Sequence, residues 1–100
     1  MTDTLPLTLD SFRASIDLEA PPSSLSPALT ALWYAAKGDW EKAHTVAQSD
    51  QSTDGSWVHA YLHRVEGDLG NANYWYGRAG KSAPETSLDE EWAAISAALI

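Results

Sequence analysis

The stretch "WVHAYLHRVEGD" (57–68) carries two histidines four residues apart, His59 and His63, with Glu66 three residues later. On a helix turning 100° per residue these three fall within about 60° of one another, beside the apolar stripe rather than opposite it. Two imidazoles and a carboxylate on one face are suitable ligands for Zn2+ or another divalent ion. His44, on the preceding helical segment, offers a further nitrogen. Such a site requires its donors to converge at about 2.0–2.2 Å from one point, and a shared face is the first condition for that. The zincin pattern is excluded, because it needs Glu directly after the first histidine and Ala60 stands there. The plainer expectation is structural. His59 and His63 would then be partly buried and bridge two helices, hydrogen-bonded to loop carbonyls or to Asn71 and Asn73.

The opposite flank of the same segment carries Trp57, Tyr61 and Arg64, and the next segment carries Tyr74 and Arg78. Exposed Tyr, Trp and Arg dominate binding hot spots, so these five are the expected contact residues for a protein or peptide partner. Tyr74 and Arg78 are four apart and can stack on one another.

Catalytic constellations are thin, and no catalytic residue is assigned. "DLGNAN" (68–73) lacks the lysine and the glycine spacing of a phosphate loop. No serine sits in a nucleophile elbow. Asp89, Glu90 and Glu91 form a carboxylate run that suits a helix N-terminus and is expected to be a solvated face. His63 beside Glu66 is the one acid–base pair worth naming.

The formal charge is −8, from 14 acids against 6 bases. Arg64, Arg78 and Lys81 are the nearest thing to a basic cluster, and acids dilute them. A chain of this sign repels polyanions, which excludes nucleic acid as a partner. No run approaches the ~18 apolar residues of a membrane span. Asp3, Asp10, Asp17 and Glu19 rule out a signal peptide in the first twenty residues, and cysteine is absent. The expected location is cytoplasmic. With 44% hydrophobic and 20% charged residues the composition is that of a folded chain, and 100 residues make one domain.

The elements that must position these side chains are helices. Residues 1–8 read as a frayed arm, and Leu9, Phe12 and Ile16 mark a short amphipathic helix over 8–16. "EAPPSS" (19–24) breaks the chain. Ser26 is a natural N-cap with Pro27 at the first helical position, and Leu29, Leu32, Trp33 and Ala36 follow helical spacing up to Gly38. Asp39 caps a second helix, buried through Trp40, Ala43 and Ala47. "SDQSTDG" (49–55) reads as a polar loop, and Ser56 as the cap of a third helix running to Glu66. Gly67 ends that helix, and Asp68 caps a fourth, with Leu69, Ala72, Trp75, Tyr76 and Ala79 facing inward. "SAPETS" (82–87) is a second break. Ser87 and Glu90 make a capping box for a last helix carried by Leu88, Trp92, Ile95 and Leu99. Nothing reads as a strand, so the fold class is all-α.

"LWYAAKGDWEKAHTVA" (32–47) aligns with "YLHRVEGDLGNANYWY" (61–76) on the Gly-Asp turn and on the alanine four residues after the aspartate, at a spacing of 29 residues. That period belongs to stacked helical hairpins. On "GDWEKA" (38–43), and on Ala72, Tyr76, Ala79 and Pro84 at the family's spacing, the chain resembles the tetratricopeptide (TPR) repeat. The segment 57–81 is also similar to a stretch of small uncharacterised bacterial proteins, a likeness that brings no activity with it. The TPR resemblance implies a right-handed stack of about two hairpins over 26–84, after an N-terminal arm with its short helix (1–25) and before a C-terminal capping helix (85–100). It implies that the first helix of each hairpin lines a concave groove, which adds Leu32 and Ala36 to Trp57, Tyr61 and Arg64. Arg64 would pair a peptide carboxylate there. Two hairpins are few for a stack, so the end helices or a homodimer must cover the exposed faces. The expected function is therefore a non-enzymatic protein–protein interaction or self-association module without a cofactor. The alternative is a divalent-metal or small-ligand site at His59, His63 and Glu66, with His44.

Overall fold

In a computed structural model, which describes residues 7–100, the chain forms six α-helices and no strand among the described residues. These are α1 (Leu9–Ser15), α2 (Pro27–Ala36), α3 (Trp40–Ser49), α4 (Thr53–Val65), α5 (Leu69–Ala79) and α6 (Leu88–Leu99). The fold is all-α, as expected. Most of the arm expected over 1–8 lies outside the described residues.

The two Gly-Asp corners are built alike. Gly38 and Gly67 adopt φ of 81° and 84°, a left-handed conformation that costs a side chain with a Cβ but not glycine. At the first corner the Gly38 N–H donates to the Ala35 carbonyl (3.0 Å) and the Asp39 N–H to the Tyr34 carbonyl (3.0 Å). At the second, the Gly67 N–H donates to Arg64 (3.0 Å) and the Asp68 N–H to His63 (2.9 Å). Both are Schellman closures, which satisfy carbonyls that a helix end would otherwise leave free. Each aspartate then caps the next helix, accepting the N–H of Lys42 or of Asn71 at 3.2 Å. The internal repeat read in the sequence is thus a repeat of turn geometry.

Ser26, Asp39, Asp68 and the Ser87–Glu90 box all cap where expected. The start of α4 differs. Its cap is Ser52, whose hydroxyl accepts the Gly55 N–H (3.2 Å), and Ser56 is buried one turn inside the helix. The physical reason is local. Asp50 accepts the Ser52 N–H (3.0 Å) and turns the chain early. Gly55 then lets α4 pass against Asp50, where a Cβ would collide with its carbonyl and side chain.

The two hairpins, α2/α3 and α4/α5, lie side by side through α2 and α3 against α4. The α6 helix returns across α2 and α4, and α1 closes on α6. Tryptophans fix these joints, because a buried indole N–H needs an acceptor. Trp33 donates to the Ser15 carbonyl (3.0 Å), tying α2 to α1, and Trp92 donates to Leu32 (2.9 Å), tying α6 to α2. Trp40 donates to Leu62 (2.8 Å) and ties α3 to α4. Phe12, fully buried, stacks on Trp92 with ring centroids 5.4 Å apart. Twenty-nine residues after Trp40 the same repeat position holds Leu69. Leu69 is 61% exposed, with no hairpin among the described residues packed over it.

Candidate metal centre

Two helices, α3 and α4, bring the histidines together. His44 lies one turn into α3, directly beneath Trp40, and their rings stack with centroids 4.7 Å apart. The indole bond from Trp40 to Leu62 sets the height of α3 against α4. His44 thereby meets His59, and the two Nε2 atoms lie 3.0 Å apart. His63, one turn along α4 from His59, has its ring centroid 4.8 Å from that of His59 and 5.2 Å from that of His44. One nitrogen from each of the three rings lies within 4.8 Å of the others. From α5, Trp75 stacks on His59 with centroids 4.0 Å apart, backing it on the side away from His63.

Glu66 serves His63 differently from the sequence expectation of a shared ligand face. Its Oε1 lies 2.6 Å from His63 Nδ1, so that nitrogen donates to the carboxylate and Nε2 is the one left to face a ligand. Glu66 can reach back because it occupies the C-cap of α4, where the Schellman turn begins. Asp68 is near His63 and Glu66 as well, but its Oδ1 is engaged as the cap of α5.

The structural expectation for these histidines is half met. His59 and His63 are buried and join two helices. Their hydrogen-bond partners are His44 and Glu66, however, and Asn71 and Asn73 are exposed. Burial lowers the His59 pKa to about 4, helped by the charges that His44 and His63 would carry. Burial, and then His63, lowers that of His44 too. Both shifts favour the neutral ring, the form in which imidazole ligates a metal.

The contact flank requires a correction. Tyr61 is only 6% exposed, and Arg64 spends its guanidinium inside the molecule. Arg64 Nη1 donates to Glu91 Oε1 at 2.8 Å, and Nη2 donates to the Thr86 carbonyl. Tyr76 donates its hydroxyl to the other oxygen of Glu91. The carboxylate expected from a peptide partner is supplied by the chain's own α6, which covers the first helices of both hairpins. Trp57 is half-buried, with Lys81 Nζ 4.2 Å from its ring centroid. Tyr74 and Arg78 remain exposed and bonded to each other at 3.2 Å, as the sequence suggests.

Glu91 corrects a second expectation. Asp89 and Glu90 face solvent, but Glu91 is 3% exposed and anchors α6 to α4 and α5. The signal for it was spacing, since Glu91 stands three residues after Leu88 and four before Ile95, on the edge of the apolar stripe. Around this buried charge the tyrosines hold their protons. Burial, with Glu91 nearby, pushes Tyr61 up to about 12, and Tyr76 is raised well above its ordinary range by burial and its bond to Glu91.

No protein family, no curated protein and no solved structure matches this chain. No helix among the described residues is long and apolar enough to cross a membrane.

Proposed function

We propose that this protein binds one divalent transition-metal ion, with Zn2+ as the reference case, through His44, His59 and His63. The observation that carries the reading is the approach of three imidazole nitrogens from two helices to within 4.8 Å of one another. Tetrahedral Zn2+ with nitrogens at about 2.0–2.1 Å needs them about 3.3 Å apart. His44 and His59 are within a few tenths of an ångström of that, at 3.0 Å. His63 has to close by at most roughly 1.5 Å, a side-chain rotation. Glu66 takes the outer-shell role, in which a carboxylate accepts the far N–H of a ligating histidine and fixes its tautomer. In the metal-free protein the 3.0 Å contact is a His–His hydrogen bond with one shared proton, which the ion replaces. A net charge of −8 favours cation approach.

The test is calorimetry with Zn2+ on chelator-treated protein, together with elemental analysis. One ion per chain, lost in His59→Ala, is the expected result. No heat and no stoichiometric metal would end the reading.

A second reading, self-association at the start of α5, is favoured by Leu69, 61% exposed at the open end of the hairpin pair. A homodimer joined there would complete the covering that two tetratricopeptide-like hairpins lack. Sedimentation at two concentrations, repeated with Leu69→Lys, tests it. A wild-type chain that stays monomeric at both rejects it.

A further inference from the structure

The metal reading leaves one coordination position unassigned, because three protein nitrogens fill only three places of a four-coordinate ion. Most of the surroundings of the histidine cluster are taken. Trp40 stacks on His44 and turns an edge toward His63, and Glu66 holds the far nitrogen of His63. Beside His59 the molecule opens into a polar cavity of about 370 Å3, whose wall includes Gln48, Asp50, Ser56, Trp75 and Arg78. Trp75 touches both ends of the arrangement. Its ring lies 4.0 Å from that of His59, and the Arg78 guanidinium carbon lies 5.3 Å from its centroid.

From this geometry, and resting on the metal reading above, we infer that the fourth position faces this cavity and takes the carboxylate of a small organic monocarboxylic acid. One carboxylate oxygen coordinates the ion and the other pairs with Arg78, whose planar fork suits a carboxylate. The Trp75 ring supplies an apolar wall for the ligand's carbon skeleton, and Gln48 offers amide hydrogen bonds to any further polar group. Asp50 in the same wall and the net charge of −8 discriminate against a phosphate dianion and tolerate a monoanion. Arg78 is a positioning residue for the ligand and not a metal ligand.

The experiment uses the full chain loaded with Co2+, whose visible absorption reports the atoms bound to the ion. Sodium acetate is titrated in, with sodium phosphate as the contrast, into wild type, Arg78→Ala and Arg78→Lys, after circular dichroism has verified that each is folded. The expected result is a saturable acetate-dependent spectral change. It needs about tenfold or more acetate in Arg78→Ala, with Arg78→Lys in between and phosphate weaker than acetate throughout. If Co2+ binds stoichiometrically but acetate leaves the spectrum unchanged, acts equally on all three proteins or is outcompeted by phosphate, this inference falls and the metal reading stands. If Co2+ does not bind at all, both fall.

Discussion

His44 Nε2 and His59 Nε2 meet at 3.0 Å although the residues are fifteen apart in the chain and on different helices. The contact exists because Trp40, one turn before His44, is bonded to the Leu62 carbonyl and stacks on the His44 ring. Substitution at the cluster should therefore affect ion binding more than folding. His63→Ala is expected to abolish Zn2+ uptake by calorimetry. Glu66→Gln, which keeps the shape but weakens the hold on His63, should lower affinity roughly 10–100-fold. Equal affinity in Glu66→Gln and wild type would remove Glu66 from the outer shell.

The metal-free protein should lose stability as the pH falls from about 6.5 toward 4. His59 in the fold titrates at about 4, against 6.5 when unfolded, so the unfolded chain binds the extra proton first. Its contribution is complete above pH 6.5 and disappears through that window. The opposite sign applies to Tyr61, whose hydroxyl is held protonated up to about 12 against 10 when unfolded. Its contribution is complete below pH 10 and lost as the pH rises toward 12. Urea denaturation at pH 7.5, 5 and 10.5 checks both slopes, and a flat profile between 7.5 and 5 contradicts the first.

Glu91→Ala should destabilise the fold by about 3–5 kcal/mol, because it leaves the Arg64 guanidinium without its carboxylate beneath α6. The double substitution Arg64→Met with Glu91→Leu removes both charges and is expected to cost less than Glu91→Ala alone. A double variant weaker than either single, measured by chemical denaturation, would show that the pair contributes more than the sum of its desolvation costs.

Two glycines should respond in opposite directions to the same change. Gly55→Ala forces a methyl into the Asp50 carbonyl and should cost about 1–3 kcal/mol. Gly70→Ala, inside α5 with nothing within 4 Å of its new Cβ, should stabilise by about 0.4–1 kcal/mol. Melting temperatures of the two variants against wild type decide the matter.

What the sequence disclosed were the features written within a few residues of one another. The caps at Ser26, Asp39, Asp68 and Ser87 and the glycines at the two corners are local chemistry, and the helices begin and end there. Ser56 misled because Ser52, four residues earlier, is an equal capping residue and Asp50 favours the earlier turn. The candidate site was legible as residue types, and His44 was already among them. Its convergence depends on how α3 docks on α4, which no spacing within either helix encodes. Arg64 and Tyr61 looked free because their partner, Glu91, arrives from α6, and an acid next to two solvated acids gives little sign of being buried.

The equivalence of Trp40 and Leu69 is one of position and not of surroundings. In the first hairpin that position is a plug seated in its neighbour, whereas in the second the socket is missing and a smaller plug is left uncovered. The α5 helix ends at Gly80, whose φ of 68° is left-handed, and a non-helical segment then leads to α6. A helix packed against the start of α5 would cover Leu69 as α4 receives Trp40, and that uncovered leucine is where the two otherwise equivalent corners part.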